Sequence, residues 1–200
     1  MQIIVADGGS QDGTLDVARH AGAIVCEAPR GRASQLNAGA RLATGAWLAF
    51  LHADIRLPPE AGRGLLQAMQ DPSVAAAVWR LRIDARGAWY RVIEFGASLR
   101  DRLGGLPYGD QGLLIRRTLF QTIGGYPDLP IMEDVAMIRA VRRQEPIRRL
   151  RSALLVSARR WQREGPVRSW LRNVGLLSAF LAGVSPARLT RFYRAESPPT

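Results

Sequence analysis

Short apolar runs alternate along this chain with longer stretches in which apolar positions recur every three or four residues. The runs predict strands and the longer period predicts helices. Ile3–Ala6, Ala23–Cys26, Trp47–Leu51, Ala75–Ile83, Gly112–Ile115 and Leu150–Ser157 read as strands. Leu15–Ala21, Arg32–Ala43, Ala88–Arg102 and Met132–Arg143 read as helices, and another begins near Thr118. Pro58-Pro59 opens a further helix that runs through Met69, consistent with proline's fit in a first helical turn. "WLAFL", Trp47 to Leu51, is apolar throughout, as expected of a strand covered on both faces. Strand–helix alternation predicts an α/β fold with a mostly parallel central sheet flanked by helices, and C-terminal helices beyond it. The expected organisation is a main domain over 1–160, an amphipathic helical segment over 161–194 and a loose tail over 195–200.

Composition narrows the classes. A chain of 200 residues, 47% hydrophobic and 22% charged, suits one sizeable globular domain rather than a disordered one. The net charge of +11, carried overwhelmingly by arginine, calls for an anionic partner: nucleic acid, a phosphorylated metabolite or an acidic membrane surface. The aromatic residues, 7% of the chain, show no repeated stacking pattern, so no specific nucleic acid is expected. Cys26 stands alone, which excludes an internal disulfide and a thiolate metal cluster. Ile3-Ile4-Val5 is too short for an apolar targeting core, so a cytoplasmic location is expected. The longest apolar stretch, Val174 to Val184, is roughly half of the ~20 residues that span a bilayer. Arginines flank it on both sides. That arrangement fits a helix lying on an anionic membrane, at the inner face of the cell membrane, and equally a helix packed on the domain's own core.

In open α/β sheets the ligand crevice lies outside the carboxyl ends of the strands. Asp7 follows the first predicted strand and Asp54 follows "WLAFL", so both point to one rim. In "VADGGSQDGT", Val5 to Thr14, glycines allow positive φ and close backbone approach to a ligand, and the aspartates are acceptors for a base or sugar hydroxyl. Ordinary turn chemistry accounts equally well for Asp12-Gly13. "FLHADIRLPP" sets His52 and Asp54 on one side of the chain as it leaves its strand. A carboxylate there suits a hard divalent cation shared with substrate phosphates, and also a plain turn cap. In "PRGRASQLNAGARLATG", Gly31-Arg32 precede a helix, and a helix N-terminus with an arginine forms an anion site. Asn37 and Gly39 lie on one flank of that helix, where Gly39 and Ala40 read as helix-on-sheet packing. Glu133-Asp134 begin a helix after a loop rich in glycine and proline. The helix dipole favours carboxylates there, and a general base projected into the crevice is the functional alternative. "YGDQGLLIRR" offers Tyr108 and Asp110 on a glycine-flanked loop as an acceptor pocket.

Together these stretches resemble the family 2 glycosyltransferases of the GT-A fold, the nucleotide-diphospho-sugar transferase architecture. Within that family they look like the subgroup associated with radical-SAM and selenodomain proteins. "VADGGSQDGT" resembles the nucleotide-binding stretch, "GRASQLNAGARLATG" the Arg…Asn-x-Gly helix and "FLHADIRLP" the metal-binding segment. "GGYPDLPIMEDVAMIRAVRR" resembles the Glu-Asp segment, and "SARRW", Ser157 to Trp161, a late Arg-Trp element. The resemblance runs in order from Gln2 to about Tyr193. It implies a nucleotide-sugar donor bound by Asp7, Gly9, Ser10, Asp12, Arg32, Asn37, His52, Arg160 and Trp161. It implies Mg²⁺ or Mn²⁺ on Asp54, with Asp134 as the base that activates an acceptor hydroxyl and Glu133 in support. Tyr108 and Asp110 would face the acceptor, and the outcome would be inversion at the anomeric carbon.

Three departures from the family pattern stand out. His52-Ala53-Asp54 replaces the common Asp-x-Asp, so metal coordination rests on one carboxylate. Gly8 stands where a second aspartate is frequent. Met1 precedes what resembles the family's second strand, so sheet groups normally covered by an earlier strand are expected to need partners. Two other functions fit the same pattern less well. Nucleotidyl transfer to a sugar phosphate usually shows a basic glycine-rich loop after the first strand, whereas "VADGGSQDGT" is acidic. A non-catalytic anion-binding protein would account for the charge alone.

Overall fold

The strands form two sheets, seen in a computed structural model that describes residues 1–103, 107 and 109–193. In the smaller sheet β1 (Ile4–Asp7) pairs in parallel with β2 (Ile24–Glu27), joined by α1 (Thr14–His20). The larger sheet has the order β3-β6-β5-β7-β4. Its strands are β3 (Trp47–Phe50), β4 (Ile55–Arg56), β5 (Ala76–Asp84), β6 (Leu113–Arg116) and β7 (Ile147–Ser157). β5 and β7 run parallel, but β6 is antiparallel to both β3 and β5, and β4 is antiparallel to β7. The α/β class therefore holds, and the expected predominance of parallel pairing does not. A strand buried on both faces reads as the same apolar run in either direction, so "LLI" carried no sign of β6's reversal.

Helices cover both faces of the larger sheet. α2 (Arg32–Leu42), α5 (Arg117–Ile123) and α6 (Glu133–Gln144) cover Leu48, Val78 and Ile115, while α3 (Pro59–Gln70) covers Trp79, Leu114 and Leu154. Adjacent residues such as Val78 and Trp79 thus go to opposite cores, as the two-residue period of a strand requires. Each of these wholly buried side chains contributes about 1.5–3 kcal/mol of hydrophobic stabilisation. α4 (Ala88–Leu103) and α7 (Arg159–Glu164) share a third cluster of Ile83, Ile93, Val156 and Trp161. α8 (Pro166–Leu181) and α9 (Pro186–Leu189) close over Ile131 through Leu176 and Leu189.

Two local features position the site. β4, too short to show a periodicity, pairs with the end of β7, and the Ser157 N–H donates to the Asp54 carbonyl at 3.0 Å. That bond sets Asp54 beside Ser157–Trp161, far away in sequence. Gly112, at φ 62, links a 3₁₀ turn (Gly109–Gln111) to β6. A Cβ on Gly112 would come within 2.9 Å of Leu154 and Leu51, so only glycine fits both the backbone angle and the space.

Candidate active site

β3 and β7 end at one rim. The segments that leave them, with the starts of α2 and α6, enclose an open cleft of about 840 Å³, solvent at its mouth included. Arg32, His52, Asp54, Asp110, Asp134 and Arg160 supply its charged and titratable lining. Trp161, Asn173, Leu176 and Tyr193 complete the wall on the C-terminal side.

Asp134 stands in the first turn of α6, and two backbone amides fix its carboxylate. Gly109 N–H donates to Oδ2 and Val135 N–H to Oδ1, both at 2.7 Å. The residue before this helix pair, Met132, has φ 65, a left-handed conformation uncommon outside glycine, and its side chain lines the cleft. Gly109 is the second constraint. A Cβ there would clash with His52 Nε2 and lie 3.1 Å from Asp134 Oδ2, so glycine alone lets both groups approach the turn.

Glu133 lies below Asp134, 1% exposed. Its Oε1 accepts no hydrogen bond, and Arg32 Nη1 stands 3.7 Å away, close enough for an ion pair and too far for a hydrogen bond. Burial, reinforced by the Asp134 charge and opposed by Arg32, pushes the Glu133 carboxyl up to about 7. Burial disfavours the cation on Arg32, but Tyr193, Glu133 and Asp134 outweigh it and hold the guanidinium above its ordinary value. Burial, then the Arg32 charge, lowers His52, which favours a neutral imidazole. Asp110 is raised by burial, and its Oδ1 is a buried acceptor without a hydrogen-bond partner.

Tyr193 joins the two arginines of the cleft. Arg32 Nη2 and Arg160 Nη1 both donate to its hydroxyl, at 3.0 and 3.1 Å. A single oxygen thus takes bonds from two guanidinium forks, the geometry suited to an oxygen of phosphate. Neither Tyr193, Met132 nor Gly109 was singled out from the sequence. Tyr193 follows the short α9 and a 3₁₀ turn with no motif around it, and Met132's backbone angle has no signature in residue type.

The cleft gathers Arg32, His52, Asp54, Asp110, Glu133, Asp134, Arg160 and Trp161 in or directly beneath it. Asp7, Gly9, Ser10, Asp12 and Asn37 do not line it. Asp7 accepts from Gly9 N–H at 2.7 Å, Ser10 N–H at 2.8 Å and Ser10 Oγ, so both oxygens shape their own turn. Those bonds, the Ser10 hydroxyl's first, lower its pKa against an opposing effect of burial. Asp12 accepts from Thr14 in the same way. Asn37 Nδ2 donates to the Tyr126 carbonyl at 2.8 Å and its Oδ1 accepts from Tyr126 N–H at 2.9 Å, tying α2 to the loop before α6. Tyr108 lies outside the described residues.

The donor set suits a divalent cation held chiefly by a substrate. No cluster of three or more His, Cys, Asp or Glu able to enclose a metal occurs among the described residues. The cleft does present the Asp54 carboxylate, the His52 imidazole and the unpartnered Asp110 Oδ1. A hard cation that takes one or two carboxylates and completes its shell with phosphate oxygens fits such a site.

A mixed sheet between helical layers, with this cleft beyond the strand ends, defines the architecture of the GT-A glycosyltransferases. The sequence profile of Glycosyl transferase family 2 matches residues 1–147, and the chain belongs to that family. Solved structures agree on the fold. S. aureus TarS 1–349 superposes with a TM-score of 0.62 at 13% identity, covering 96% of this chain and 59% of that one. Mannosyltransferase PcManGT from Pyrobaculum calidifontis, in complex with GDP-Man and Mn²⁺, gives 0.55 at 19% identity over 94% and 68%. Glucosyl-3-phosphoglycerate synthase from Mycobacterium tuberculosis, in complex with phosphoglyceric acid, gives 0.55 at 20% identity over 78% and 59%. The chain spans little more than half the length of several of these structures. No curated protein matches it.

Proposed function

We propose that this chain transfers a sugar from a nucleotide-diphosphate donor to a hydroxyl acceptor, with inversion at the anomeric carbon. The observation that carries the reading is the cleft itself, where two arginines converge on one oxygen opposite the carboxylates of Asp54 and Asp134. Arg32 and Arg160 would take the diphosphate in the place of the Tyr193 hydroxyl. Asp54, with His52 beside it, would hold Mg²⁺ or Mn²⁺. Bound there, the metal would neutralise charge on the departing diphosphate.

Asp134 is the general base in this scheme. Its carboxylate takes the acceptor's hydroxyl proton as that oxygen bonds to the anomeric carbon and the carbon–oxygen bond to the diphosphate breaks. Glu133 sits too deep to reach a substrate and acts by holding Arg32. Asp110 faces the acceptor side. The loop after β1 remains the nucleobase end, with Asp7 acting through the backbone it orders. Gly8 in that loop lies against Gln35, one turn beyond Arg32 on α2, which connects the loop to the cleft.

A panel of nucleotide sugars tested for binding with Mn²⁺ present identifies the donor. One donor should bind, and Asp54→Asn should weaken it about tenfold or more with Mn²⁺ and little without it. Failure of every nucleotide sugar to bind, or an Asp54→Asn variant that binds as the parent does, contradicts the proposal.

A further inference from the structure

Two helices leave apolar side chains in solvent on adjoining faces. On α4 the exposed residues Trp89, Val92, Phe95 and Leu99 recur at helical spacing and form one stripe. On α8, Val167, Trp170, Leu171, Val174 and Leu181 do the same. These are substantial exposures: 69% for Phe95 and 57% for both Trp89 and Leu171. The stripes meet where the two helices touch, since a Cβ on Gly96 would lie 3.5 Å from Trp170 Nε1. A continuous exposed face of aromatic and aliphatic groups on this scale marks an interaction surface.

The charges around that face select its partner. α8 contains no acidic residue, and exposed Arg168 flanks its stripe, with Arg163 just before the helix and Arg188 and Arg191 shortly after it. α4 carries two acids in its sequence, and both turn inward. Glu94 accepts from Ile83 N–H at 2.6 Å and pairs with Arg91 at 2.9 Å. Asp101 is 7% exposed and accepts from Gln111 Nε2. The apolar face therefore has a cationic border and no negative charge of its own. All 28 basic residues of the chain are arginine, whose fork matches a phosphate diester. Among the described residues no helix is long and apolar enough to cross a membrane.

We infer that the α4–α8 face docks the protein on an anionic lipid bilayer, with its apolar stripes in the interface and its border arginines on the headgroup phosphates. A second copy of the chain would set the same arginines against one another. The opposite side of α8 supplies Asn173 and Leu176 to the cleft, so docking sets the cleft about one helix diameter, roughly 10 Å, from the lipid. This goes beyond the chemistry proposed for the cleft and does not depend on it.

The test is co-sedimentation of the whole chain with phosphatidylcholine vesicles made with and without phosphatidylglycerol. Parallel measurements follow the Phe95→Glu and Leu171→Glu variants, their melting temperatures and their nucleotide-sugar binding. The expected result is partition at least tenfold stronger onto the anionic vesicles, weakened by salt and reduced about tenfold by either variant. Melting and nucleotide binding stay at parental values, which separates this outcome from any failure of the sugar-transfer reading. Absence of vesicle binding overturns the inference. So does binding that both variants leave intact, which would make it a property of net charge alone. Variants that abolish self-association while the parent ignores vesicles would reassign the face to a second copy.

Discussion

Three residues around the cleft have consequences that can be measured singly. Glu133 titrates near 7 in the folded chain and near its ordinary 4.5 when unfolded, so the native state binds the extra proton. Its contribution to stability is complete at acid pH and is lost as pH rises through that window, by on the order of 3 kcal/mol. Glu133→Gln should remove the dependence, raising the melting temperature relative to the parent at about pH 8 and less at about pH 5. Equal differences at both values would place the charge elsewhere. Tyr193 occupies two guanidinium forks. Tyr193→Phe should free them and tighten nucleoside diphosphate binding up to about tenfold, the scale of a hydrogen bond to a charged group. Weaker binding would make the hydroxyl part of the donor site. Gly109→Ala drives a methyl into His52 and Asp134, and turnover should fall by about 10²-fold in a folded protein, as expected for a misplaced reacting group.

At the scale of elements, Gly112 connects the site's 3₁₀ turn to the centre of the sheet. Gly112→Ala forces both a left-handed backbone and a clash with Leu51 and Leu154, and should cost about 2 kcal/mol or more in denaturant unfolding. The elements themselves were largely legible in the sequence. The alternation around "WLAFL" and "MEDVAMIRAVRR" placed β3 and α6 within a residue or so of their observed bounds. Strand direction was not legible, because burial on both faces erases it. β4 was missed because two residues show no period, although its pairing sets Asp54 beside Arg160. The cleft was legible where chemistry sits at the end of an element, as with Arg32, Asp54 and Asp134. It was illegible where function depends on a partner's position. Nothing in the type of Asn37 or Asp7 reveals that its hydrogen bonds close within the fold. Nothing near Tyr193 announces that two distant arginines converge on it.

For the whole molecule, the distribution of charge and apolar surface differs between two sides of α8. One side lines a cleft with arginines facing carboxylates, and the other continues an apolar face with exposed arginines near it. The proposed sugar transfer depends on the first side. The most direct test compares Asp134→Asn with the parent in two assays on the same protein. One is nucleotide-sugar binding by calorimetry with Mn²⁺ present, and the other is release of the nucleoside diphosphate with an added alcohol or water as acceptor. The account predicts turnover lower by about 10³-fold with donor affinity within about twofold of the parent, as expected when a general base is removed from an intact site. Loss of donor binding along with turnover, or turnover that survives the substitution, would contradict it.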